Sequence, residues 1–214
     1  IAVGSRTDLS GLPGMAEHAF PFKTLGDAFF LRNHVISVLE EAEVETDPKE
    51  KQELLTFVVA GGGYTGVEVG SEINSFTREA AKSYSRIDPT EIKVILLHRG
   101  SRILPVLPDK LADFSLGVMQ RRGVEVRLGT SIMGATAQSV LLGEGESIST
   151  RTLVVALGSA PNPVLDALPG DRGPRGRLLV DNTLSIPEFP GIWALGDCAA
   201  VPDVHTGETC PPTA

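Results

Sequence analysis

The residues whose types and spacing could do chemistry gather around one glycine-rich stretch, VVAGGGYTGVEVGSEI, residues 58–73. The pattern Gly61-x-Gly63-x-x-Gly66 falls where an apolar run gives way to a helical pattern, the setting in which such glycines form a dinucleotide-binding turn. Gly61 would permit the tight turn, Gly63 would let a pyrophosphate approach the backbone, and Gly66 would let the helix pack closely on the strand. A helix N-terminus at this point offers unbonded N–H groups and partial positive charge to phosphates. Gly61, Gly62, Gly63, Tyr64, Thr65 and Gly66 are therefore the candidate cofactor contacts. Glu68 is expected in the first turn of the same helix and is the candidate catalytic residue. Its carboxylate either complements the helix dipole or lies near the nicotinamide or flavin edge.

The following strand ends in VILLHRGSR, residues 94–102. An Asp or Glu at such a strand end accepts hydrogen bonds from the adenine ribose of NAD. Here His98 and Arg99 occupy the position. A cationic pair cannot accept both ribose protons, but it could pair with a 2′-phosphate, Arg99 through a bidentate contact. The expectation leans towards NADPH; the alternative is a pair of exposed side chains that touch no cofactor. Arg102 is a further candidate in the same loop.

The elements that must position these residues alternate in type. A helix is expected to open at Thr24, with Asp27 three residues on as a capping-box partner and Leu25, Phe29, Arg32, Ile36 and Leu39 at helical spacing. The acidic tail EEAEVETDPKEKQE reads as a solvated stretch broken by proline. Residues 54–60 form an apolar strand, and the helix after Gly63 buries Val69, Ile73, Phe76 and Ala80. A second strand covers 92–97. A helix covers 108–122 with Leu111, Phe114 and Val118 inward and Gly123 beyond its end. A third strand covers 124–128, a polar/apolar alternation over 131–149 reads as an antiparallel meander, and 152–159 is another buried strand. Residues 1–4 read as the end of a buried strand, 5–23 as turn, and 176–181 and 191–197 as short strands. This β-α-β-α-β order requires a mostly parallel sheet with right-handed crossovers. The fold class expected is α/β, a Rossmann-like parallel sheet with an antiparallel β-meander.

Composition narrows the function classes. The 214 residues carry a formal net charge of -8, which argues against a nucleic-acid surface. Cys198 and Cys210 show neither CxxC nor zinc-type spacing, so no metal site and no disulfide framework is expected, and a reducing cytoplasm is the default. Core packing is expected for Cys198 and an ordinary exposed thiol for Cys210. No apolar run reaches the ~18 residues that would span a membrane. The chain opens at IAVGS, already within a strand pattern, and closes on CPPTA; both ends are expected to continue into a longer protein.

Six motifs stand in a fixed order: IAVGS (1–5), GGGYTGVE (61–68), RILP (102–105), LVVALGS (153–159), GIWALGD (191–197) and PPTA (211–214). This order resembles the flavoproteins with two dinucleotide-binding domains, and within them the type II NADH dehydrogenases, single-subunit NADH:quinone oxidoreductases of the pyridine nucleotide-disulfide oxidoreductase superfamily. The resemblance covers nearly the whole chain. It implies a layout of three parts: 1–53 as the exit strand of an FAD domain with linker and helix, 54–157 as the NAD(P)H-binding Rossmann domain, and 158–214 as a partial return to the FAD domain. It implies that Asp197, with Gly196, hydrogen-bonds the FAD ribityl chain, that Gly158 lies against the nicotinamide, and that PPTA lies near the isoalloxazine and quinone site. The FAD-binding GxGxxG of the family would precede residue 1. The implied cofactors are NAD(P)H and, in the intact protein, FAD; the implied partner is a quinone or another small electron acceptor. The resemblance also allows a homodimer, and peripheral contact with the cytoplasmic membrane face only through segments outside these residues. The 214 residues alone are expected to be inactive. Other acceptors (a ferredoxin, a rubredoxin, a disulfide) and a non-catalytic redox sensor are the alternatives.

Overall fold

The computed structural model describes residues 1–156 and 159–210, the side chain of residue 159 excepted. In chain order the elements are β1 (Ser5–Thr7), α1 (Met15–His18), β2 (Ala19–Pro21), α2 (Leu25–Val44), α3 (Pro48–Leu54), β3 (Thr56–Ala60), α4 (Tyr64–Ala81), β4 (Lys93–Leu97), α5 (Asp109–Arg121), β5 (Val124–Arg127), β6 (Ile132–Thr136), β7 (Ser139–Leu142), β8 (Ser147–Ser149), β9 (Thr152–Val155), β10 (Ser159–Pro161), β11 (Leu178–Leu179) and β12 (Ala199–Ala200). The chain divides into two compact units, 9–157 and 1–8 with 158–214.

The larger unit has three layers. Its middle layer is a five-stranded sheet in the order β2-β9-β3-β4-β5, parallel throughout. All five residues of β3 are buried, and Phe57–Ala60 are apolar without alternation, as a strand covered on both faces must be. Phe57 and Val59 of β3 point to the helix layer, where they meet Leu39, Val69, Ile73 and Met119 in one cluster. Val58 and Ala60 point the other way, to a cluster with Met15, Ala135, Val140 and Ile148. That third layer is the antiparallel meander β6-β7-β8.

The structure corrects several boundaries and faces. Residues 9–53 fall in the larger unit, where β2 pairs with β9 and Val35, Val38 and Leu39 of α2 lie in the core. The sequence reading missed β2, a three-residue strand ending in proline within a turn-rich stretch. The acidic tail contains a helix, α3, because Asp47 accepts from the amides of Lys49 and Glu50 and Pro48 sits at the first helical position. Helix α2 starts as expected. Thr24 Oγ1 accepts from the Asp27 amide at 3.1 Å, and Asp27 accepts from the Thr24 amide at 2.7 Å. Its buried stripe, however, is Leu31, Val35, Val38, Leu39 and Ala42, leaving Leu25 and Phe29 exposed. In α5 the buried residues are Ala112 and Met119, while Leu111 and Phe114 face solvent. Both helices carry apolar residues on more than one face, so periodicity alone does not fix their rotation.

The smaller unit pairs β1 with β10 antiparallel and β11 with β12 parallel around Leu165, Leu178, Val180, Ile186 and Cys198. Its regular elements are shorter than expected. Residues 1–4 make no strand ladder, β11 has two residues rather than six, and 191–197 is not a strand: residues 196–198 form a 3₁₀ turn instead. Gly196 (φ 74) lies in the left-handed region, outside the extended conformation of a regular strand.

Candidate functional site

The site lies at the C-terminal ends of the parallel strands, where β3 has β4 on one side and β9 on the other. The chain leaves β3 for β4 through α4, so the ends of β3 and β9 diverge there and leave a crevice, the position at which open α/β sheets bind ligands. The glycine turn occupies it. Gly61 has φ 124, a conformation closed to residues with side chains. Its amide donates to the Leu97 carbonyl at 2.9 Å. A Cβ at Gly66 would stand 1.8 Å from the Gly61 carbonyl oxygen, so only glycine lets the helix start this close to the turn.

Helix α4 then begins with no side chain capping it. Its first backbone bond runs from the Val67 amide to the Gly63 carbonyl, 3.1 Å. The amides of Tyr64, Thr65 and Gly66 therefore point out of the helix end without an intrahelical partner. Gly63, Tyr64 and Thr65 are exposed, and a Cβ at Gly63 would meet nothing within 4 Å. An uncapped helix end with open space before it fits a diphosphate.

Two side elements hold the turn, and the sequence reading had given neither this task. His98 Nδ1 accepts from the Gly62 amide at 3.2 Å. Its ring packs so closely that a Cβ at Gly62 would lie 2.6 Å from His98 Cγ. From the RILP segment the Leu104 amide donates to the Gly62 carbonyl at 2.6 Å. Leu104 itself is buried and adopts φ 48, unusual for a branched side chain. Both ends of the Gly62 residue are thus engaged within the protein. The signal that could have exposed this is the RILP motif itself, an apolar pair in a glycine-flanked loop directly after β4.

This geometry corrects the expectation of a cationic pair at the end of β4. Burial lowers the pKa of His98, a hydrogen bond to the Arg102 main chain opposes that in part, and the Arg99 guanidinium lowers it further. An imidazole whose Nδ1 accepts a hydrogen bond is neutral. Arg102 is also committed, to the Asp109 carboxylate and to the Pro105 carbonyl at 3.2 Å. Arg99 remains: it is exposed and forms no ion pair among the described residues.

Glu68, expected in the first turn of α4, lies beyond it, because the helix starts at Tyr64 and its first turn contains no acidic residue. It is exposed and lines an apolar groove of about 520 Å³ between α2 and α4, with Phe22, Leu31, Val35, Val69 and Phe76. Gly158 and residues 211–214 lie outside the described residues. In the smaller unit, Asp197 follows Gly196, and its Oδ2 accepts from Ser5 Oγ at 2.7 Å. Cys198 is buried and Cys210 is half-buried, both as free thiols. Among the described residues, no group of three His, Cys, Asp or Glu side chains could hold a metal, and no helix is long and apolar enough to cross a membrane.

A parallel sheet with helices on one face, a meander on the other and a glycine turn at its switch point defines a Rossmann-type unit. The chain belongs to the pyridine nucleotide-disulphide oxidoreductase family, which matches residues 1–210. Among curated relatives it is 31% identical over its whole length to a probable NADH dehydrogenase of Dictyostelium discoideum, covering 47% of that protein. It is 30% identical to a type II NADH:quinone oxidoreductase of Mycobacterium tuberculosis, over 95% of this chain and 46% of the relative. Among solved structures, NDH2 from Plasmodium falciparum in complex with NADH superimposes with a TM-score of 0.85 at 25% identity, covering 94% of this chain and 43% of that one. A ferredoxin reductase from Rhodopseudomonas palustris shares the fold, with a TM-score of 0.71 at 20% identity over 97% of this chain and 45% of that one. The chain thus spans about half the length of the curated relatives it matches.

Proposed function

We propose that the larger unit binds NAD(P)H and the smaller unit forms part of an FAD site, within an enzyme that oxidises NAD(P)H and reduces a quinone. The observation that carries this is the uncapped, outward-facing start of α4 behind a turn that only glycine can form, in a chain whose relatives bear the names of NADH dehydrogenases. In this reading Gly61 and Gly62 shape the turn, and the amides of Gly63, Tyr64, Thr65 and Gly66 take the diphosphate. Glu68 orients the nicotinamide, and Gly196 and Asp197 meet the flavin's ribityl chain. The bound cofactors supply the chemistry, hydride transfer from nicotinamide to flavin and electron transfer onward to the acceptor, and the protein supplies orientation and electrostatics.

The end of β4 lacks the carboxylate that would accept from the adenine ribose and repel a 2′-phosphate. Both NADH and NADPH are therefore accepted, with Arg99 as the cation available to the phosphorylated form. A homodimer and attachment to the cytoplasmic membrane face are consistent with this reading and rest on the family resemblance.

The test uses the full-length flavoprotein. NADH should bleach the flavin absorbance under anaerobic conditions, and a soluble quinone should restore it. Re-oxidation by a ferredoxin, rubredoxin or disulfide and not by quinone would overturn the acceptor. Failure of either nucleotide to bleach the flavin would overturn the dehydrogenase itself.

A further inference from the structure

Two glycine-polar dipeptides nearly two hundred residues apart meet in the smaller unit. Gly4 (φ 62) precedes Ser5, and Gly196 (φ 74) precedes Asp197. Left-handed backbone at each glycine reverses the chain locally, a geometry closed to most residues with side chains. The two segments run alongside each other: the Leu195 amide donates to the Ile1 carbonyl at 3.0 Å, and Cys198 Sγ donates to the same carbonyl at 3.6 Å. Ser5 then enters β1, whose pairing with β10 fixes its backbone. The result is a short hydroxyl–carboxylate bond, Ser5 Oγ donating to Asp197 Oδ2 at 2.7 Å.

We propose that Ser5 is a positioning residue that sets the plane of the Asp197 carboxylate for the flavin ribityl chain. This rests on the reading of Asp197 as a flavin contact. A carboxylate offers about four acceptor sites, so a hydroxyl bonded to one oxygen restricts its rotation. A hydrogen bond to an ionised group is among the stronger kinds, which lets a serine help hold an aspartate against rotation. The serine of the IAVGS motif thereby acquires a task that the motif's apolar strand pattern does not explain.

The experiment titrates FAD into the full-length apoprotein and follows flavin fluorescence, with thermal unfolding of the apoprotein as the measure of structure. Ser5→Thr and Ser5→Val differ only in hydroxyl against methyl. The threonine variant should bind FAD like the parent, and the valine variant should bind about tenfold more weakly. Ser5→Val placed on Asp197→Ala should add no further loss, because the serine acts through the aspartate. Equal affinities for the threonine and valine variants would overturn the proposal. So would a valine effect that persists in full in the Asp197→Ala background. If Asp197→Ala alone leaves FAD affinity unchanged, the flavin role of Asp197 fails and Ser5's with it; if it weakens binding while Ser5→Val does not, only the role of Ser5 fails.

Discussion

Gly66→Ala should damage both stability and nucleotide binding, whereas Gly63→Ala should damage binding alone. At Gly66 the added Cβ would lie 1.8 Å from the Gly61 carbonyl oxygen and 2.8 Å from its carbon, both backbone atoms that cannot rotate away. Contacts under 3.0 Å are essentially absent for real Cβ atoms, so the turn and the start of α4 must separate by about 3.0 − 1.8 = 1.2 Å. Overpacking of this kind costs ~1–3 kcal/mol. For a domain of this size each kcal/mol lowers Tm by roughly 2–4 °C. A displacement of that size in a positioned contact costs about a hundredfold in rate. Gly63 is different. Its φ is -80 and ψ -174, extended backbone open to any residue, and its Cβ would enter open space. Alanine there should leave Tm near the parent value, while its methyl group stands where a diphosphate must approach. Thermal unfolding and NADH titration of the two variants provide the assay. Parental nucleotide affinity in Gly63→Ala would remove the diphosphate from this helix end. Parental Tm in Gly66→Ala would show that the close approach of helix and turn is not maintained in solution.

Further outcomes follow from the same residues. Arg99→Ala should weaken NADPH relative to NADH by roughly ten- to a hundredfold, the range for hydrogen bonds to charged groups; an unchanged affinity ratio would remove Arg99 from the ribose site. Burial lowers the pKa of both His34 and His98, so the unfolded chain binds more protons than the folded one as pH falls through the normal imidazole value. Stability should therefore be full above about pH 6.5 and decline as pH falls from there towards the lowered folded values. His98→Asn should flatten part of that decline in a Tm series from pH 7.5 to 5, and an unaltered slope would contradict it. Thr24→Ala removes the cap that accepts from the Asp27 amide at 3.1 Å and should cost ~1 kcal/mol, read as a shift in denaturant midpoint without a change in slope.

What could be read from the sequence depended on whether the signal was local. The glycine turn is legible because backbone conformation selects glycine directly: Gly61 needs positive φ, and Gly66 has no room for a Cβ. The capping box at Thr24 is legible for the same reason, since it joins residues three apart. The parallel order of β3, β4 and β9 follows from the alternation of strand and helix. The rotation of α2 and α5 is not local. Leu111 and Phe114 look as suited to a core as Ala112 and Met119, and only the space between helix and sheet selects the smaller pair. Strand β2 is three residues long and exists because β9 offers an unpaired edge. The partners of Gly62 come from positions 98 and 104, so spacing in sequence says nothing of them.

The engagement of Gly62 limits what the end of β4 can do. His98 accepts from the Gly62 amide only while neutral, because a protonated Nδ1 would bring two N–H groups face to face. The residue at position 98 therefore cannot hold the turn and attract a phosphate by charge at the same time. A glutamate there could keep the first task, since its carboxylate also accepts, but it would bring a negative charge to the crevice. His98→Glu should for that reason preserve the turn and lower NADPH affinity relative to NADH, whereas a lysine would fail at the first task because it has no acceptor. In the proposed reading, turn geometry and nucleotide preference are thus coupled through one side chain. In that reading, the cation left to distinguish the two nucleotides is the neighbouring Arg99, which is exposed.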